Sequence, residues 1–92
     1  MISLESQIRK IDEMIGYLNE TASYMNHFAE DVDKAIATQK ANGFTQEKAE
    51  DYERQYWLPA KAKLEQSTIS MTTRHVSYFE NVKQKLIQLR NM

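Results

Sequence analysis

Few side chains in this sequence are grouped in a way that could do chemistry. His27 stands four residues before Asp31, close enough to share a helix face. Two groups make a poor site where structural zinc takes four ligands, so His27 reads as a solvated histidine. His75 is placed to face an apolar seam, where burial would make it pH-sensitive, or to sit at its boundary. Glu30, Asp31 and Asp33 form one acidic run, and Glu47, Glu50, Asp51 and Glu53 a second. Paired helix carboxylates hold di-iron centres with the help of Glu-x-x-His motifs, and the sequence contains none. Both runs therefore read as solvated helix faces. The absence of cysteine removes disulfides and thiolate metal sites. The expectation is a non-enzymatic chain with no catalytic residue, no cofactor, no metal and no small-molecule substrate.

Lys61, Lys63, Arg74, Lys83, Lys85 and Arg90 make the C-terminal part basic. They form no dense stripe, and the formal net charge is −1, so nucleic acid is not the expected partner. The balance is uneven along the chain. Residues 1–44 carry −3, residues 45–60 carry −2 and residues 61–92 carry +4. An acidic arm facing a basic arm can fix an antiparallel pairing, although exposed pairs are worth only ~0–1 kcal/mol each.

The aromatic residues are the richest local feature. Tyr52, Tyr56 and Trp57 sit beside Pro59, and folding back would bring Tyr24 and Phe28 across from them. Core packing around a kink is one reading. The other is a partner hot spot, since Trp and Tyr supply large buried area at interfaces. With Met71, Tyr78 and Phe79 further along, these residues are the candidate interface: Tyr24, Phe28, Tyr52, Tyr56, Trp57, Met71, Tyr78 and Phe79.

The elements that must position them are helices. Leu4, Ile8, Ile11, Ile15, Leu18, Ala22, Met25, Ala29, Val32 and Ile36 recur at steps of four and three without a break. That is the a/d seam of a helix built to lie along another helix. The spacing predicts one helix from about residue 3 to 41, capped by Ser3. Asn42, Gly43, Phe44 and Thr45 predict the turn. Gly43 is expected in the left-handed conformation, Phe44 packed back on the last turn, and Thr45 as the next N-cap. A second helix is predicted from about 46 to 89, kinked near Pro59, which lacks a backbone donor. Its apolar residues form no clean seam: one stripe reads Leu64, Met71, Tyr78 and another Ile69, Val76, Phe79, Leu86. A central turn folds two such helices into an antiparallel hairpin, here a single domain over residues 1–92. A three-helix arrangement beginning anew at Pro59 is the competitor. One hairpin buries one seam, so the remaining apolar surface predicts dimerisation into a four-helix bundle, with a second copy or a related helical chain.

A small all-helical chain with glycine in a central turn resembles the WXG-type helical-hairpin proteins of type VII secretion. The motif position falls on Ala41-Asn42-Gly43, with the glycine present and the tryptophan absent. The family's export signal is also missing, since Tyr78 is followed by Val82 where an acidic residue would stand. These departures fit the divergent branch whose members pair with the N-terminal helical domain of LXG toxins. The resemblance implies a targeting chaperone for a secreted substrate. No apolar run approaches the ~20 residues of a membrane span, and no basic-then-apolar leader opens the chain. The expected location is the cytoplasm, and export by a route that needs no cleaved signal stays open. A generic coiled-coil adaptor and a phage or toxin–antitoxin regulator are the alternatives. Leu4, Ile8, Ile11, Asp12, Ile15 and Leu18 also resemble the opening helix of a small all-helical chorismate mutase. The cationic groups that would grip its dicarboxylate fall on Glu5, Ala22 and Asp33, which leaves nothing to stabilise developing negative charge.

Overall fold

The computed structural model describes residues 2–92. Helix α1 runs Leu4–Lys40 and its heptad stripe is the reason for its length. All ten seam residues are buried or half-buried. Ile8, Ile15, Ala22, Ala29 and Ile36 are the enclosed ones, at alternate seam positions. The N-terminus is capped as the sequence predicts: the Ser6 backbone N–H donates to Ser3 Oγ at 3.1 Å.

The turn is built differently from the expectation. Gly43 has no positive φ, so no left-handed cap ends α1. Asn42 shapes the turn instead: its side-chain Oδ1 accepts the Phe44 N–H at 3.0 Å and its carbonyl accepts the Thr45 N–H at 3.0 Å. Phe44 does not pack back; it is 99% exposed. Thr45 precedes the next helix, but its hydroxyl makes no cap bond to that helix. It donates to the Gln39 carbonyl at 2.7 Å, which also accepts the Asn42 N–H at 3.2 Å, so both bonds close the end of α1.

From residue 46 to 90 the backbone is helical without a break, so no third helix begins at Pro59. The run has α2 (Gln46–Tyr52), a π-helical segment Glu53–Trp57, α3 (Leu58–Ile69), a second π-helical segment Ser70–His75, and α4 (Val76–Arg90). The first π segment lies where the proline was expected to act. Pro59 offers no N–H to the Gln55 carbonyl and its ring crowds that carbonyl. The wider turn answers both problems, with the Leu58 N–H donating to Glu53 O, five residues back. The second segment has the same bond, from the Val76 N–H to Met71 O. No proline sits there; the hydroxyl-rich run Ser70–Thr73 includes β-branched Thr72 and Thr73, which weaken helix locally.

Those two segments account for the blurred second seam. One stripe of the enclosed or half-enclosed positions reads Ala49, Glu53, Trp57, Lys61, Leu64, Thr68 and Met71, then Val76, Phe79 and Leu86, with Asp51, Ser70, Val82, Lys83 and Ile87 also half-enclosed beside it. The step from Met71 to Val76 is five residues, and the steps around Glu53–Trp57 are all four. Each π segment inserts a residue and resets the phase of the stripe. The seam therefore joins the start of one predicted stripe to the end of the other, leaving Ile69 and Tyr78 60% and 65% exposed.

Contacts divide the chain into two compact units. One comprises residues 1–22 and 69–92 and pairs its segments antiparallel, with Glu5 Oε1 3.9 Å from Arg90 Nη1 and Asp12 Oδ1 2.7 Å from Lys83 Nζ. The other, Ser23–Thr68, is a helical hairpin closed by the turn. Its core is Ala29, Ile36 and Trp57 with Val32 and Leu64 against them. Among the described residues there is no strand, and no helix is long and apolar enough to cross a membrane.

Candidate interaction surface

The two edges of the α1 seam differ in chemistry. With Ile8 at heptad position a and Ile11 at d, position e holds Glu5, Asp12, Asn19, Asn26, Asp33 and Lys40. Four of these six make ion pairs to the opposite helix: Glu5–Arg90, Asp12–Lys83, Asp33–Lys61 and Lys40–Glu53. Three run from the acidic arm to the basic arm. The fourth is reversed at the turn, where the second arm is still acidic. Position g holds Gln7, Met14, Thr21, Phe28 and Ala35, without a formal charge. One edge is thus closed by charge and the other is uncharged.

Asp33 is the best-connected group on the closed edge. Its Oδ1 accepts the Trp57 indole N–H at 2.8 Å and its Oδ2 accepts Lys61 Nζ at 2.7 Å. Those two hydrogen bonds, from Lys61 first and Trp57 second, hold the Asp33 carboxyl below the usual aspartate range. The bond to Asp33 likewise raises Lys61, and a bond to Asp12 raises Lys83. The acidic runs are therefore not wholly solvated faces. Asp33 and Glu53 are half-buried members of interhelical pairs. The signal for this was present: the paired residues of α1 recur at one heptad position.

On the open edge the structure gathers part of the predicted aromatic set. Phe28, Tyr52, Tyr56 and Trp57 line a groove of about 470 Å³ with Ala60, Lys63, Leu64 and Ser67. Trp57 forms its floor. It is 5% exposed and stands edge-on to Phe28 with ring centroids 6.2 Å apart. Tyr52 and Tyr56 pack on each other at 5.6 Å, yet stay 53% and 64% exposed. Tyr24, on the same hairpin, is 73% exposed. Tyr52 also borders a second groove of about 550 Å³ along Val32, Ala35, Ile36 and Ala49. In the other unit Tyr78 meets Phe79 edge-on at 5.4 Å, while Met71 is half-buried along the seam. His27 and His75 are both exposed. Among the described residues no three of His, Cys, Asp and Glu group to hold a metal ion.

These features define a class: a helical module with one charged, closed edge and one aromatic, open edge. Comparison of the chain with family models, curated proteins and solved structures returns no match.

Proposed function

We propose that this chain is a protein-interaction module, a WXG-like targeting partner for a type VII secretion substrate that it binds as a helical bundle. The observation that carries the interaction reading is the open edge. Tyr24, Phe28, Tyr52 and Tyr56 are 48–73% exposed beside a seam that is itself covered. No described side chain falls below 2% exposure, so a single layer of paired helices leaves its core shallow. A partner helix laid along the groove would deepen it. The type VII assignment rests on the resemblance at Ala41-Asn42-Gly43 and on the hairpin around that turn.

Co-expression tests it. The chain should co-elute as a complex of fixed stoichiometry with the N-terminal helical domain of the toxin encoded beside its gene. The absence of such a neighbour, or separate elution of two folded chains, overturns the secretion reading.

A further inference from the structure

The turn that closes the hairpin holds a reactive dipeptide. Asn42 and Gly43 are both exposed. A Cβ built on Gly43 would meet nothing within 4 Å, so the space around this residue is open. Among the described residues the Gly43 N–H makes no hydrogen bond. The bonds of the turn belong to its neighbours. The Asn42 N–H donates to the Gln39 carbonyl at 3.2 Å, and the Thr45 N–H to the Asn42 carbonyl at 3.0 Å. The Asn42 side chain lies forward over the next peptide bond, because its Oδ1 accepts the Phe44 N–H at 3.0 Å. That bond has two chemical effects. It brings the amide carbon Cγ to the side of the Gly43 nitrogen. It also sets a backbone donor on the oxygen that takes up negative charge when Cγ is attacked. We infer that Asn42 is a site of spontaneous covalent modification, in which the Gly43 nitrogen closes on Asn42 Cγ and the side-chain amide is lost.

The reaction balances with water alone. The Gly43 nitrogen gives up its proton and bonds to Cγ. The Cγ–Nδ2 bond breaks, and the amide nitrogen leaves with that proton as ammonia. The product is a cyclic succinimide. Solvent water, which reaches the exposed turn, opens it at either carbonyl to give aspartate or isoaspartate at position 42. No oxidant or reductant takes part. Either product adds one negative charge to the formal −1 of the chain. The isoaspartyl form also adds a carbon to the main chain where it closes the Ser23–Thr68 hairpin. The other asparagines lack this geometry. Asn19 and Asn26 lie within α1 and Asn81 within α4, where the N–H of the following residue is held by a carbonyl one helical turn back. Asn91 precedes Met92, whose N–H donates to the Leu89 carbonyl at 3.3 Å. The fold therefore selects one amide among those of the sequence.

Mass spectrometry of the full chain tests the assignment, whatever its binding partner. The folded chain is held at physiological temperature and mildly alkaline pH, since the attacking species is the deprotonated Gly43 nitrogen, and is then cut with trypsin. Cleavage after Lys40 and Lys48 isolates residues 41–48, in which Asn42 is the only asparagine. That peptide is expected to gain the mass of an amide-to-acid exchange, to take up heavy oxygen from labelled water and to resolve into aspartyl and isoaspartyl forms. Peptides carrying Asn19, Asn26 and Asn81 should be unchanged. The folded chain should convert at least as fast as a synthetic peptide of residues 41–48, because the turn leaves the nucleophile free and supplies the donor. Gly43→Ala, with its fold checked by circular dichroism, should convert about tenfold more slowly, since a side chain crowds the attacking nitrogen and restricts its backbone. An unchanged Asn42, a folded chain more than about tenfold slower than the peptide, equal conversion at the helical asparagines, or a folded Gly43→Ala chain that converts as fast as the parent overturns the proposal.

Discussion

Truncation of Trp57 to alanine should cost ~4 kcal/mol of folding stability, within the ~3–5 kcal/mol range for Trp→Ala in protein cores. The indole is 5% exposed, so nearly all of its ~250 Å² leaves water on folding. At ~25 cal/mol per Å² that is about 6 kcal/mol as an upper bound, and a compact unfolded chain reduces it toward 4. Such a loss is a large share of the ~5–14 kcal/mol expected for a chain of this size. It corresponds to a fall of roughly 15–30 °C in Tm. Denaturant titration followed by far-ultraviolet circular dichroism reads the change, because the variant loses the only tryptophan. Trp57→Phe separates the two roles of the side chain. It keeps a ring against Phe28 but loses the indole donor to Asp33 and part of the buried ring area, so it should fall between the parent and the alanine variant. A Trp57→Ala variant within ~1 kcal/mol of the parent, with an unchanged denaturant slope, would refute Trp57 as the anchor of the hairpin core. The result also decides how binding data are read. A lost complex with Trp57→Ala reports folding, whereas Tyr56→Ala should leave stability within ~0.5 kcal/mol and report the surface.

Three further outcomes follow from the geometry. Deleting Thr73 removes the inserted residue of the second π segment and restores four-and-three spacing from Met71 onward, so stability should stay within ~1 kcal/mol by denaturant titration; deleting Asn81 rotates Leu86 and Ile87 off the seam and should cost ~3 kcal/mol or more. Asp33 is held below its ordinary value of 3.8, so its contribution is present above that pH and is lost as pH falls through the lowered value. Lys61 and Lys83 are held above 10.5, so theirs is present below that pH and is lost as pH rises through the raised values. A pH series of unfolding midpoints should fall toward the acid end and toward the alkaline end, and Asp33→Asn should remove part of the acid-side fall. Finally, a Cβ added at Gly16 or Gly43 meets nothing within 4 Å. Gly16→Ala should raise stability by ~1 kcal/mol through helix propensity, and Gly43→Ala should be neutral or slightly stabilising, where a left-handed cap would have lost ~1 kcal/mol.

Helix α1 was legible almost residue by residue, because a strict repeat over 4–36 leaves one face to bury and Ser3 caps it locally. The position of the turn was legible from Asn42-Gly43, but not its chemistry. Glycine permits a left-handed cap without requiring one, and Asn42 and Thr45 supply competing side-chain bonds that end the helix another way. Pro59 marked a disturbance whose form depended on the neighbouring turn. The second π segment had only a weak signal in Ser70–Thr73. Trp57 was ambiguous for a physical reason: a large aromatic beside a proline serves a core or an interface equally well. In the structure Trp57 is 5% exposed and its indole nitrogen donates to Asp33 across the hairpin. That bond joins positions 24 apart in sequence, and only the register of the hairpin reveals it.

The same register explains why an interrupted helix suits an uninterrupted one. A seam repeating every 3.5 residues drifts ~20° per heptad around a straight α-helix. A partner that follows it must adjust its own phase, by supercoiling or by insertion. Each unit of this chain contains one insertion, Glu53–Trp57 in the hairpin and Ser70–His75 in the other. Through them the second arm keeps Trp57, Leu64, Val76 and Phe79 on the covered side although no single heptad frame contains them all. The insertions leave α1 regular: its seam residues repeat at steps of four and three from Leu4 to Ile36, so the adjustment of phase falls on the second arm, once in each unit.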